Sequence, residues 1–346
     1  MCGRCCLTLE PPDIQKATMY KSHSKCNDGE SKWLEPSWRN EYNCGREYKP
    51  SYNIAPTDIT PVLVSASHFN SDETVETDPF PDLENDEQHR QNEQNDSSDQ
   101  VLVPMLWGMI PFWHNKSLDY KKHGLTTNNC RLESMLDSKL YKHAFHKGQR
   151  CVIVCEGFYE WQTTDPKAKK PSDRAAYYIY MRQRDGIRIE DKNSWKDSIS
   201  DVKLMKMAGL FDVWTNANGE QMYSYTVITL ESDKTLNWLH HRSPAILETD
   251  EAVADWIDFK RVTDTKDLLN LLKPAKCLQW HRVSNLVNNS RNKSDQCNKR
   301  VEAGSKVTTP KSKLMESWLI GKKRKSDENI ETMKEKKVKI ETDDEK

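Results

Sequence analysis

No apolar run in the 346-residue sequence approaches the roughly 18 residues needed to cross a bilayer, and no hydrophobic stretch of signal-peptide type follows Met1. Neither a membrane partner nor a secretory route is therefore expected. Gly-rich phosphate loops, H-E-x-x-H and G-x-S-x-G are all missing, so P-loop nucleotide chemistry, zincin proteolysis and the α/β-hydrolase nucleophile elbow lose their signatures. There is no internal repeat and no regular alternation of strand and helix. Ten cysteines are scattered without disulfide-scaffold spacing, which predicts free thiols in a reducing compartment.

What is present begins with "MCGRCC". Removal of Met1 would leave Cys2 with a free α-amine beside a free thiol. An α-amine titrates near pH ~7.7–8.0 and a thiol near ~8.5, so neutral amine and thiolate coexist close to neutrality. Such a pair can capture an aldehyde as a Schiff base and close it to a thiazolidine. Cys2 and Cys5 also have the C-x-x-C spacing of half a zinc site, yet Cys26, Cys44, Cys130, Cys277 and Cys297 stand alone. Cys151 and Cys155 sit in the strand-like "CVIVC" and are expected to face one side of a core strand. From the residues alone Cys2 has three possible roles: zinc ligand, incidental cysteine or reactive N-terminus.

Mean hydropathy of −0.89 with 30% charged residues exceeds what a compact domain requires, so part of the chain is expected to be disordered. Segment 71–99 holds eleven Asp and Glu against one Arg, net −10, leaving +9 on the rest of a chain whose total is −1. It reads as a disordered acidic insertion within a domain of about residues 1–300. The positive remainder suits a polyanion. Residues 301–346 read as a disordered basic tail, in which "GKKRK" and "KEKKVK" are candidate nuclear-localisation signals. Within it, "SKLMESWL" (312–319) resembles a partner-docking helix, loosely like the motif that binds the replication sliding clamp.

Strand-like runs dominate elsewhere: "TPVLVSA", "VLVPMLWGMIP", "CVIVCEGFYEW", "AAYYIYM", "MAGLFDVW", "YSYTVITL" and "CLQWHRVS". Helices are expected near Ile14–Tyr20, over 130–145, over 249–259 after Thr249 and Asp250, and over 264–274. Together these predict an α+β fold with a mainly antiparallel, barrel-like sheet.

Four stretches put chemistry where strand patterns end. Glu160 closes a strand that is apolar on both faces, a setting that raises a carboxylate's pKa toward proton-transfer duty; the bland alternative is a surface Glu. Asn128, Asn129 and Arg131 at an expected helix start suit a phosphate, or only a helix cap. His240, His241 and Arg242 combine a neutral-pH proton carrier with a phosphate ligand, unless the histidines merely pack. Trp107 and Trp113 offer faces for single-stranded bases, or belong to the core.

Taken in order, "MCGR", "YNIAPT" (52–57), "WGMIPFW" (107–113), "NCRLE" (129–133), "RCVIVCEGFYEW" (150–161), "MAGLFDVW" (207–214), "YTVITL" (225–230), "HHRSPAIL" (240–247) and "VNNSRN" (287–292) resemble the SOS-response-associated peptidase family, whose animal members process abasic sites. The resemblance covers residues 1–300 apart from the acidic insertion. It implies that mature Cys2 forms a thiazolidine with the ring-opened sugar of an abasic site in single-stranded DNA. It further implies that Asn129 orients amine and sugar, that Glu160 moves protons, and that His240 assists ring opening. Arg4, Arg131 and Arg242 would contact phosphates, and Trp107 and Trp161 would stack on bases. Leu106 and Ser243 depart from the family pattern, where Arg and Met are usual. No cofactor or metal is implied, and a nuclear monomer acting at replication forks is expected. Two other classes remain: a thiol peptidase using Cys2, with release of Met1 as its simplest cleavage, and a non-covalent DNA-binding module, with modified cytosines as one candidate ligand.

Overall fold

A computed structural model describes residues 3–25, 31–69 and 100–301, and these described residues belong to one compact unit. Cys2, the acidic insertion 71–99 and the tail with its 312–319 segment lie outside the described residues.

The strands are β1 (Cys5–Leu7), β2 (Tyr20–Lys25), β3 (Ser31–Leu34), β4 (Ser37–Trp38), β5 (Ser51–Ile54), β6 (Ile59–Ser65), β7 (Gln100–Trp107) and β8 (Asn129–Arg131), followed by β9 (Arg150–Cys155), β10 (Gly157–Trp161), β11 (Ala176–Met181), β12 (Met205–Thr215), β13 (Gln221–Glu231), β14 (Arg242–Pro244) and β15 (Leu278–Val283). Among the described residues four α-helices accompany them: α1 (Pro11–Ala17), α2 (Lys139–His146), α3 (Asp250–Ile257) and α4 (Thr265–Leu271). β13, β12, β9, β6 and β7 pair in succession, and parallel pairing of Tyr225 with Trp107 joins β7 back to β13, closing a five-stranded barrel. The remaining pairs of that ring are antiparallel, so the expected α+β fold with a barrel-like, mainly antiparallel sheet is what forms.

Patterning explains the ring. β6, β7 and β9 are buried along their whole length, so their unbroken apolar runs serve barrel interior on one side and a second layer on the other. At the barrel rim Gly108, at φ +121, lets the chain leave β7 while its N–H still donates to the Tyr225 carbonyl at 2.9 Å. The second layer is a five-stranded sheet in the order β15-β11-β10-β1-β5, and it carries the site.

One expected helix is shorter than its pattern. Residues 129–131 pair with β13 in parallel, 132–134 make a single 3₁₀ turn, and α2 begins only at Lys139. The free edge of an eleven-residue strand outcompetes local helix periodicity. Asn128 and Arg131 therefore do not stand at a helix N-terminus. α3 does start as expected, with the Thr249 side chain accepting from the Ala252 N–H at 3.1 Å.

Candidate active site

β10 sets the site. Cys5 pairs with Phe158 and Cys6 with Gly157, and the Tyr159 N–H donates to the Arg4 carbonyl at 2.9 Å. Continued by one more pair, this antiparallel register brings Gly3 opposite Glu160. Close approach of β10 and β11 requires Gly157, because a Cβ there would lie 2.5 Å from the Ile179 carbonyl oxygen.

Glu160 is only 4% exposed, and its Oε1 accepts the Trp161 N–H at 3.1 Å. Burial pushes its carboxyl pKa up, opposed by positive charge that includes Arg174 and by the Trp161 N–H. His240 arrives from the loop after β13. That loop is fastened to the end of β10, where the Thr163 N–H donates to the Leu239 carbonyl at 2.9 Å and the Thr164 hydroxyl to the Trp238 carbonyl. The Arg242 N–H donates to His240 Nδ1 at 2.9 Å, closer than the Arg242 carbonyl at 3.3 Å from the same nitrogen, and this shorter contact suits a neutral ring with its proton on Nε2. Burial, with help from the stacked His241 ring at 4.4 Å, lowers the His240 pKa to about 4. At neutral pH the imidazole is thus uncharged and can donate from Nε2.

Glu160, Trp161, Arg174, His240 and Asn288 line one cleft of about 470 Å³. The Trp161 indole N–H donates to Asn288 Oδ1 at 2.7 Å, and the Arg4 guanidinium lies 6.0 Å from the Trp161 ring. The cleft joins a proton carrier held neutral, a carboxyl poised to titrate above its ordinary range, and a cation. That set can move protons around an electrophilic carbon.

The sequence matches the profile of the SOS response associated peptidase (SRAP) family over residues 1–290. The chain belongs to the SRAP family. It is 41% identical over 336 residues to the "Abasic site processing protein HMCES" of Xenopus tropicalis, covering 95% of this chain and 88% of that protein. It is 29% identical over 255 residues to the "Abasic site processing protein YoqW" of Bacillus subtilis, covering 72% and 86%. A solved structure from Bacteroides thetaiotaomicron has the same fold, with a TM-score of 0.56 at 16% identity, covering 87% of this chain and all of that one.

In this SRAP chain the other expected site residues fall into three groups. Asn129 begins β8, opposite Val227 of β13, and is not among the side chains lining the cleft. Its strand is nonetheless tied to the His240 segment, because Arg242 reaches Glu133 with two hydrogen bonds of 2.7 and 2.9 Å. Arg242 also donates to the Thr229 carbonyl at 2.5 Å, so this buried guanidinium is committed to holding β8, β13 and β14 together. Arg4 is half-buried, donating to the Val287 carbonyl at 2.7 Å and Asn53 Oδ1 at 3.1 Å, whereas Arg131 is exposed. Trp107 requires a correction. Expected as a stacking surface, it is 1% exposed, its indole N–H donates to the Asn128 carbonyl at 3.0 Å, and its ring packs on Tyr225. The barrel closure at Tyr225 and Trp107 has buried it beyond reach of a base. Leu106 is likewise core, at 2% exposed.

Three contributors were not singled out from the sequence. Asn53 is fully buried, and its Nδ2 faces the carbonyls of Val287, Asn289 and Asn292 at 3.2, 3.1 and 2.9 Å. It thereby joins "YNIAPT" to "VNNSRN" and positions Asn288. Arg174 precedes β11, and only the pairing of Trp161 with Ala176 reveals that it faces the cleft.

Proposed function

We propose that this protein acts on abasic sites in single-stranded DNA, trapping the ring-opened sugar through Cys2 once Met1 is removed. The observation that carries this is the Glu160–His240 cleft at the edge of β10, the strand that β1 pairs with only a few residues after Cys2 in the sequence. Support from relatives is the name "Abasic site processing protein" carried by both the amphibian and the bacterial protein.

In the proposed sequence, hydrolysis of the Met1–Cys2 bond frees the amine. His240, donating from Nε2, assists opening of the sugar hemiacetal to its aldehyde. The neutral amine adds to C1′, forming a C–N bond and a carbinolamine; Glu160 in its acid form donates the proton that lets water leave, giving the iminium. The Cys2 thiolate then adds to the same carbon, closing the five-membered ring. The net change is one aldehyde and one aminothiol converted to thiazolidine and water. Because Glu160 is raised by burial, it is available as acid and, in reversal, as base. The basic tail would take the protein to the nucleus, and single strands exposed at replication forks would be its substrate.

The test is adduct formation with a single strand bearing one abasic site, beside the same strand after borohydride reduction of the sugar to its alditol. An adduct with the first and none with the second is expected. Equal binding of both, without a covalent product, would leave a non-covalent role.

A further inference from the structure

Beyond the cleft, one face of the second layer is only partly covered: Phe158 and Ile179 are buried and Tyr177 and Trp238 pack half-buried against the core, whereas Trp280 and Arg282 are exposed. Cross-strand register puts Glu160, Tyr177 and Arg282 in a single row across β10, β11 and β15, with Phe158, Ile179 and Trp280 in the next. Directly paired residues project from the same face of a sheet. On this face Trp280 is 37% exposed. Its ring lies 5.5 Å from that of Trp238, which meets Tyr177 edge-on at 5.0 Å. Arg282 beside it is exposed, and among the described residues neither its guanidinium nor that of Arg174 has a hydrogen bond or ion pair. An aromatic strip with Arg174 at its cleft end and Arg282 at its far end therefore starts at the cleft and runs across the sheet.

Scale decides what it can hold. Neighbouring strands are about 4.8 Å apart and residues about 3.3 Å apart along a strand, so Trp280 lies about 12 Å from Glu160. At a rise of about 3.4 Å, that is three or four nucleotides. We infer that the Tyr177–Trp238–Trp280 strip is a stacking platform for bases flanking the reacting sugar, with Arg282 and Arg174 on the backbone phosphates. This rests on the abasic-site function proposed above and adds the track of the undamaged strand. A protein partner is the other occupant such a surface could take. Continuity with the cleft, rings rather than aliphatic side chains, and a cation at each end favour a single strand, since every base presents a π-face.

The experiment is fluorescence anisotropy with a labelled single strand carrying a central tetrahydrofuran unit, an abasic analogue without an aldehyde. Binding is thus read independently of Cys2 chemistry. Flanks are either ordinary bases or tetrahydrofuran units over four positions on each side. Trp280→Ala should weaken binding to the base-flanked strand by about 5- to 100-fold and leave the base-free strand unchanged. Trp280→Phe, which keeps a stacking face, should restore most of the affinity. Arg282→Gln should reduce the slope of log affinity against log salt by about 1 on both strands. Equal affinities of wild type and Trp280→Ala for the base-flanked strand would overturn the platform and leave the face to a protein ligand. So would an equal loss on both strands, which would mark Trp280 as structural. A wild-type protein that binds neither strand would overturn the abasic-site function itself.

Discussion

At the scale of single residues, two titrating groups have opposite environments with opposite consequences. Burial raises the Glu160 pKa, so the folded state favours the protonated carboxyl; that contribution is full at low pH and is lost as pH rises through the folded-state pKa. Glu160→Gln should accordingly raise the melting temperature at neutral pH while slowing adduct formation by about 10²- to 10⁴-fold, a trade visible by pairing calorimetry with a gel assay. If stability falls, the carboxylate is held by contacts that outweigh its desolvation. His240 is depressed from 6.5 to about 4, so the folded state disfavours the imidazolium. Its effect is absent above pH 6.5, and stability is lost as pH falls from there toward 4. Nuclear magnetic resonance of the ring should show no titration between pH 5.5 and 8, a window set by that shift; a midpoint inside it would contradict the neutral Nε2–H donor. Glu160 was legible because an apolar strand ran straight into it. Arg174 was not, since nothing local in "PSDRAAYY" says which strand it will lie against.

At the scale of elements, the apolar runs marked nearly every inner strand, because a strand buried on both faces must be apolar throughout. Residues 129–131 escaped, their three positions being claimed by a partner about a hundred residues away. The same non-locality hides Asn53, a polar residue in a short strand whose purpose appears only when the 287–292 loop folds over it. Asn53→Ala would orphan up to three carbonyls and one partner of Arg4. Denaturant unfolding should register a loss of about 2–4 kcal/mol, with weaker substrate binding through the displaced Asn288. Gly157→Ala should be worse for folding, since its Cβ would meet both the Ile179 carbonyl and the Tyr178 ring below 3 Å. Loss of soluble, cooperatively unfolding protein is the expected outcome. A variant with the wild-type melting temperature would show that β10 and β11 can separate without cost.

For the whole molecule, the barrel closes through a parallel contact between β7 and β13, a pairing that no pattern in either strand announces. The fold class followed from the density of strand-like runs; the ring that buries Trp107 did not. Charge acts at this scale too. With −10 on residues 71–99 and +9 on the remainder, deleting the acidic segment should tighten binding of a single strand at low salt, with a difference that shrinks as ionic strength rises. Unchanged affinity at low salt would mean that segment is electrostatically remote from the DNA. The central claim, however, concerns one atom pair at the chain's beginning. Intact-mass spectrometry of purified protein mixed with a single strand bearing one abasic site, beside Cys2→Ala, tests it directly. A heat-stable adduct on the wild type alone, at the mass of the chain without Met1 plus the strand minus one water, is the predicted result. A folded chain lacking Met1 that gives no adduct would contradict the covalent trap and the proton-transfer roles assigned to Glu160 and His240.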